Sequence, residues 1–207
     1  GMRLSLLVGM PAGVGLFVLA EPLTAVVYQG NKFTPYDTRM AALSLAAMSL
    51  AVPAFMLSKV LSPAFFARQD TKTPMRAAIW TVVANVLMTI AFTLPLWWFE
   101  VEGAHGGIAL ATGLAGIFNA WLLFKYLRRD GLLQPRPGWG KHLARIGVGC
   151  ALMAAVVLAI SWHVGDWTAI RSPWHRAWLL LGTVSAGAVT YGIALLAFGL
   201  RPRDLRH

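Results

Sequence analysis

The stretch Phe65–Trp80 reads FFARQDTKTPMRAAIW. Long apolar runs flank it on both sides, and between them stand Arg68, Asp70, Lys72, Thr73, Pro74 and Arg76. A hydroxyl followed by proline, Thr73-Pro74, marks a helix start: the hydroxyl accepts from an orphan backbone N–H, and proline has no N–H to leave unpaired. The knot of charge is therefore a turn between two apolar helices, one ending near Ala67 and the next beginning at Thr73.

Working outward, the same apolar texture fills the chain. Of 207 residues 57% are hydrophobic and only 13% charged, with a mean hydropathy of +0.63. A soluble domain carries roughly a quarter charged residues, so this chain lacks the polar surface to cover itself in water. Six apolar segments are legible: about Leu4–Tyr28, Tyr36–Ala67, Met75–Phe99, Gly106–Leu127, Leu143–Val164 and Trp174–Leu200. Each is long enough to cross about 30 Å of hydrocarbon as a helix. The runs are continuous and too long for strands, which excludes a β-barrel. The expected fold is all-α: a polytopic membrane protein with six transmembrane helices.

Two further helix starts repeat the hydroxyl–proline pattern, Thr34-Pro35 and Ser172-Pro173. Thr34 with Asp37 resembles a capping box in which Asp replaces the usual Glu. The first span carries Pro11, Gly13, Gly15 and Pro22, breakers that allow it to bend.

Basic residues set the orientation. The side holding the amino terminus collects Arg3, Lys59, Arg68, Lys72, Arg76, Lys125, Arg128, Arg129, Arg136, Lys141, Arg145, Arg201, Arg203 and Arg206. The other side has only Lys32, Arg39, Arg171 and Arg176. The positive-inside rule makes the first side cytoplasmic, with both termini there. Trp97, Trp98, Trp162, Trp167, Trp174 and Trp178 fall at outer boundaries and Trp139 at an inner one, where indoles favour headgroups. The net charge of +10 thus reports topology and anionic lipid, not nucleic acid, for which no groove-reading motif exists. Gly1 before Met2 reads as a cut point, as if the chain were a piece of something longer.

The Pro-Arg-Pro-Gly run in the fourth connection interrupts any helix. It divides residues 1–130, four spans, from a linker at 131–142 and a final pair with a basic tail at 143–207.

No soluble-enzyme motif is present, and the five histidines sit near helix ends or in loops, as interfacial residues do. No catalytic residue, metal site or cofactor is expected. The lone Cys150 lies inside an apolar run and reads as a small buried residue. Polar groups inside the spans are costly and therefore informative. Glu21 precedes Pro22 in the outer part of the first span. Lys59, between Pro53 and Pro63, either snorkels or meets an anion in a hydrated cavity. Arg68 shares its face if the helix runs that far. Asn85 and Thr89 share a face of the third span, and Thr112 and Asn119 a face of the fourth. These either bond between helices or, more weakly, ligate a small cation. The small residues of GIALATGLAG let helices approach closely.

The segments QGNKFTPYDTRMAALSL, KVLSPAFFARQDTKTPMR and QPRPGW resemble the carboxy-terminal part of the MurJ (also MviN) lipid II flippases, within the multidrug/oligosaccharidyl-lipid/polysaccharide exporter superfamily. Ala67–Pro74 alone points to the superfamily; with Gly30-Asn31-Lys32-Phe33-Thr34-Pro35-Tyr36-Asp37 it points to the family, this chain having one extra residue after the glycine. The resemblance implies half of a two-lobe flippase plus two extra C-terminal helices, which in the family form a groove for a long lipid tail. It implies that an undecaprenyl-pyrophosphate-linked peptidoglycan precursor moves from the cytoplasmic to the outer leaflet of the bacterial inner membrane. The implied partners are that precursor, membrane lipids and an absent N-terminal lobe. Lys59, Arg68 and Lys72 match charged positions of the family pattern and, with Glu21, are the expected substrate contacts. Asn85 and Thr89 stand where some relatives carry an acidic ion ligand. The rival readings are a polysaccharide-lipid or drug exporter of the same superfamily, a membrane enzyme acting on lipid-linked sugars, and a membrane scaffold or interaction module. The eight acidic residues are too scattered for the enzyme.

Overall fold

Proline spacing explains how the first two spans are cut. A proline lacks the N–H for the carbonyl four residues back and its ring clashes with that carbonyl. Pro22 acts on Val18, and α1 (Met2–Val18) ends there, giving way to α2 (Ala20–Tyr28) at an angle of 68°. Pro53 acts on Ser49, and α3 (Pro35–Ser49) ends there before α4 (Val52–Phe66). The remaining elements are long: α5 (Lys72–Trp98), α6 (Ala104–Arg129), α7 (Trp139–Val164) and α8 (Pro173–Ala197). This computed structural model describes residues 2–28, 34–98, 104–131, 139–170 and 172–198, without the side chains of 96, 97, 104 and 105. Lys32, Arg136, Arg171 and the basic tail, the first half of the Gly30–Asp37 motif and all of QPRPGW but its tryptophan lie outside the described residues.

Five stretches are long and apolar enough to cross a membrane, α3–α4 counting as one, and the bent pair α1–α2 makes a sixth if it is a single span. The expected spans match these within a few residues. The described residues contain no strand. The structure is that of an all-helical, multi-pass membrane protein.

The caps are as the sequence suggests at two starts. Thr34 N–H donates to Asp37 Oδ2 (2.9 Å) and Asp37 N–H donates to Thr34 Oγ1 (3.2 Å), a complete capping box. Ser172 Oγ accepts from His175 N–H at 3.4 Å. The third differs. Asp70, not Thr73, caps α5: its Oδ1 accepts from the N–H groups of Lys72 and Thr73, both at 3.1 Å. A carboxylate is the stronger acceptor and reaches two orphan donors at once. The Thr73 hydroxyl and N–H hold the Asp70 carboxyl below its ordinary value. The preceding helix also stops earlier than Arg68 requires. Gln69 adopts φ 59°, and the N–H groups of Gln69 and Asp70 return to the carbonyls of Phe66 (2.9 Å) and Phe65 (3.1 Å). This is a Schellman closure with glutamine in the left-handed position. Arg68 therefore lies in the turn, not on the Lys59 face of a continuing helix.

Packing is set by small residues. α6 lies against α3, α4 and α5, and α1 against α4. Ala109, Ala111, Ala115 and Gly116 of α6 are buried. A Cβ on Gly116 would fall 2.3 Å from the Phe55 ring of α4. α7 and α8 pair with each other and dock on α1 and α2. Their contact is an apolar cluster of Leu19, Ala25, Met153, Val157, Trp167 and Leu180. Trp167 is 3% exposed, so it belongs to this cluster rather than to the headgroup layer, unlike the exposed Trp98, Trp162, Trp174 and Trp178. His142 is likewise buried rather than interfacial. Cys150 is buried as expected.

Candidate functional site

Three features of the bundle bear on function: an apolar groove, a basic end and a set of intramembrane polar groups. The groove lies between the broken first span and the final pair. Its volume is about 550 Å³, and its walls include Val8 and Pro11 of α1, Met153 and Val157 of α7, and Val184 and Tyr191 of α8. That size is within the roughly 300–1,000 Å³ of small-ligand sites. A lining so apolar suits hydrocarbon and offers nothing to an ion or sugar.

At the end where α4 stops and α5 begins, Lys59, Arg68, Lys72 and Arg76 are all exposed. None of them is in an ion pair with the described residues. Antiparallel crossings bring the last turn of α6 to the same end. There Lys125 Nζ stands 4.9 Å from the Trp121 ring centre, beside Arg128 and Arg129. Arg3 lies over Trp139 at 5.8 Å, which ties the starts of α1 and α7. The structure thus places Lys59, Arg68 and Lys72 at one end, as free cationic surface.

Glu21 sits at the opposite end, in the first turn of α2, where a carboxylate complements the helix dipole. Arg39 of α3 comes to 4.0 Å from it. In the α7–α8 connection, the Thr168 hydroxyl and N–H donate to Asp166 Oδ1 at 2.6 and 2.9 Å and hold its carboxyl below the usual value; Arg39 adds to this. Glu21 is therefore not near Lys59, Arg68 and Lys72, and the four do not form one pocket.

Asn119 bonds between helices: its Nδ2 donates to Ser58 Oγ of α4 (3.4 Å), and its Oδ1 accepts from Thr81 of α5 (3.2 Å). Thr89 Oγ1 donates to Asn85 Oδ1 along its own helix (3.1 Å). Thr112 Oγ1 donates to the Ile108 carbonyl (3.0 Å). Among the described residues no cluster of His, Cys, Asp or Glu could hold a metal ion.

The sequence reading missed the bonds of two residues. Arg176 is 4% exposed, and its Nη1 donates to the Ala25 carbonyl at 2.7 Å. Tyr191 donates its hydroxyl to the Leu7 carbonyl at 2.8 Å. The only hint for the first was an arginine just inside an apolar run. For the second it was Pro11, which frees the carbonyl of Leu7 four residues back.

The fold is that of a polytopic helical membrane protein with an apolar groove on one flank and a cationic end. The comparisons narrow this. Residues 1–176 match the family model described as "Lipid II flippase MurJ". A probable lipid II flippase MurJ of Vibrio cholerae serotype O1 is 35% identical over 211 residues, covering 100% of this chain and 38% of that protein. The lipid II flippase MurJ of Burkholderia cenocepacia is 33% identical, covering 97% of this chain and 38% of the relative. A solved lipid II flippase MurJ in an inward closed conformation aligns with a TM-score of 0.75 at 25% identity, over 100% of this chain and 38% of that one. The chain belongs to the MurJ family. It spans a little over a third of the length of these relatives.

Proposed function

We propose that this chain is the carboxy-terminal part of a lipid II flippase. With the rest of the relatives' length it would carry an undecaprenyl-pyrophosphate-linked peptidoglycan precursor from the cytoplasmic to the outer leaflet of the bacterial inner membrane. It is a transporter rather than an enzyme. The observation that carries the reading is the likeness of the whole chain to one solved flippase, supported by the family match over residues 1–176.

The physical task is to move a polar head through hydrocarbon while its tail stays in lipid. Alternating access of two lobes around a central site does this. The four-span part, residues 1–130, contributes to the lobe, and the pair in 143–207 supplies the tail groove, with the connection at 131–142 between them. The apolar groove between α1, α7 and α8 suits the polyprenyl tail. Lys59, Arg68 and Lys72 stand as unpaired cations on the side that the positive-inside bias makes cytoplasmic, with both termini. There they attract the pyrophosphate. Glu21, at the break in the first span, is the acidic contact on the outer side, where Arg39 competes for it. Asn85, Thr89 and Thr112 are minor contributors: the Thr89 and Thr112 hydroxyls donate locally and keep their lone pairs for a small cation, and the Asn85 carboxamide oxygen, which accepts from Thr89, keeps a second lone pair.

The test is rescue of cells depleted of their own flippase by the complete gene containing this segment, read as labelling of lipid II from outside. Restored labelling, reduced several-fold when Lys59, Arg68 and Lys72 are all changed to Gln, is the expected result. A complete, correctly inserted protein that leaves lipid II confined to the inner leaflet overturns the reading.

A further inference from the structure

The final pair is joined to the first span by two polar bonds that use backbone carbonyls left over by the helix breaks. The Leu7 carbonyl is freed because Pro11 has no N–H to give it. Tyr191 of α8 supplies the missing donor, at 2.8 Å. The Ala25 carbonyl belongs to the last turn of α2, whose carbonyls have no partner within the helix. Arg176 of α8 supplies that donor, at 2.7 Å. The arginine is misplaced for its own helix, since a cation in the first turn opposes the α8 dipole, but it suits the negative end of α2.

The two bonds fall on opposite sides of the 68° break. Leu7 lies on α1 and Ala25 on α2, while Arg176 and Tyr191 lie on one uninterrupted helix. At 1.5 Å per residue, fifteen residues of α8 separate the two donors by about 22 Å along its axis. The path from Leu7 to Leu19 is about 18 Å and from Leu19 to Ala25 about 9 Å. Joined at the observed bend they span about 23 Å, whereas a straight helix would span about 27 Å. The spacing of the two residues on α8 thus matches the bent span more closely than the straight one.

Apolar packing does not set this geometry by itself. In a bilayer, lipid tails contact the groove walls as favourably as the walls contact each other. The carbonyl bonds differ, because hydrocarbon offers a carbonyl no other donor. Gly149 helps to aim the tyrosine: a Cβ there would lie 3.1 Å from Cε2 of the Tyr191 ring, so glycine leaves the ring room to cross toward α1.

We infer that α8 is a splint: Arg176 and Tyr191 are positioning residues that hold the bend between α1 and α2 and, with it, the width of the apolar groove. The claim about the groove's occupant rests on the function proposed above, whereas the claim about the bend does not. The groove widens or narrows when one bond is released and the first span changes its angle.

The experiment places nitroxide labels in the complete protein in nanodiscs, with Cys150→Ala as background. Labels at Val8→Cys and Val27→Cys, both exposed, report the bend. Labels at Val8→Cys and Val184→Cys report the groove. One narrow distance is expected for each pair. Tyr191→Phe, which removes only the hydroxyl, and Arg176→Leu broaden both; with both changes the Val8–Val27 distance lengthens by up to about 5 Å. Arg176→Lys, whose ammonium also donates to a carbonyl, restores most of the narrow component. Undecaprenyl phosphate, titrated as the tail probe, binds five- to tenfold more weakly to the doubly changed protein. Unchanged distance distributions in that protein overturn the splint. Broadened distances with no probe binding even to the unchanged protein uphold the splint and overturn the tail-groove reading.

Discussion

Replacing Gly13 by alanine tests whether the first two spans touch as closely as the structure shows. Gly9 and Gly13 are four residues apart and face α4 from α1. A Cβ at 13 would stand 2.9 Å from the Ser49 carbonyl oxygen and 3.0 Å from Cδ of Pro53. Both obstacles belong to backbone or to a ring fixed on it, so neither swings away. Ordinary contact begins near 3.4 Å, and the two spans must part by about half an ångström. Overpacking of this kind costs about 1–3 kcal/mol. Alanine also gains about 1 kcal/mol over glycine in a helix, which must be removed from the comparison. Gly182 provides the reference: it lies inside α8 and a Cβ there meets nothing within 4 Å. Gly182→Ala should therefore raise thermal stability in detergent, and Gly13→Ala should lower it relative to Gly182→Ala by about 1–3 kcal/mol. Gly9→Ala should fall between, because its Cβ meets Cα of Pro53 at 3.1 Å. Equal stabilisation by Gly13→Ala and Gly182→Ala would refute the close approach and the packing argument with it.

Further outcomes follow from single contacts. Asn119→Leu should cost about 0.6–1.7 kcal/mol, the range for side-chain bonds between membrane helices, with Thr81→Val adding little on top; additive losses in a double-mutant cycle would deny the three-helix network. Gln69→Gly should stabilise the α4–α5 turn by roughly 1 kcal/mol, because φ 59° is strained for any residue with a Cβ; an unchanged unfolding midpoint would count against the left-handed closure. The Asp70 carboxyl titrates below its ordinary value of 3.8. Its contribution to the turn is therefore complete above that pH and is lost as pH falls through the depressed folded value. A labelled carboxyl resonance should show this shift, and Thr73→Val should return it toward 3.8; a resonance already at the ordinary value would exclude the cap.

The spans, the capping box at Thr34 and the cap at Ser172 were legible because each rests on local pattern. A run of apolar residues needs no partner to be read as a span, and a hydroxyl before proline identifies its own donor. The α5 cap was misread for a reason equally local. The hydroxyl–proline pattern pointed to Thr73, and a turn whose Gln69 adopts φ 59° lets the Asp70 carboxylate reach in first. Other features depend on tertiary proximity. Trp167 and Trp162 sit in the same stretch of sequence, yet one is 3% and the other 87% exposed. Only the docking of the α7–α8 connection onto Leu19 and Ala25 separates them. Arg176 counted as an outer-side charge, and nothing local says that its guanidinium reaches a carbonyl 151 residues earlier. Lys59, Arg68 and Lys72 were placed on the cytoplasmic side by pattern and Glu21 in the outer part of its span, and the structure has them at opposite ends of the bundle.

The fate of the prolines shows how local cause and distant consequence combine. Pro22 and Pro53 stand at breaks, each four residues after the last residue of the helix it ends. Pro11 obeys the same chemistry and disrupts the same bond, yet α1 runs through it from Met2 to Val18. At Pro11 a donor is at hand: Tyr191 satisfies the carbonyl that Pro11 strands. In water that donor would matter little, since solvent would bond the carbonyl instead. In hydrocarbon an unmet carbonyl costs several kcal/mol, enough to decide whether a helix stays continuous. Pro63 and Pro95 also lie inside helices, α4 and α5, with no side-chain donor among the described residues for the carbonyls four residues back. A donor from another helix is thus one route by which a proline is kept, and it is the route taken at Pro11. Tyr191→Phe should accordingly do more than loosen the final pair. With the Leu7 carbonyl unmet, α1 should open locally at Leu7–Pro11 and its amide protons upstream of the proline should exchange faster, while those of α5 should not. Exchange unchanged at Leu7 and its neighbours would mean that Pro11 is tolerated for some other reason, and that the hydroxyl is incidental to the helix it touches.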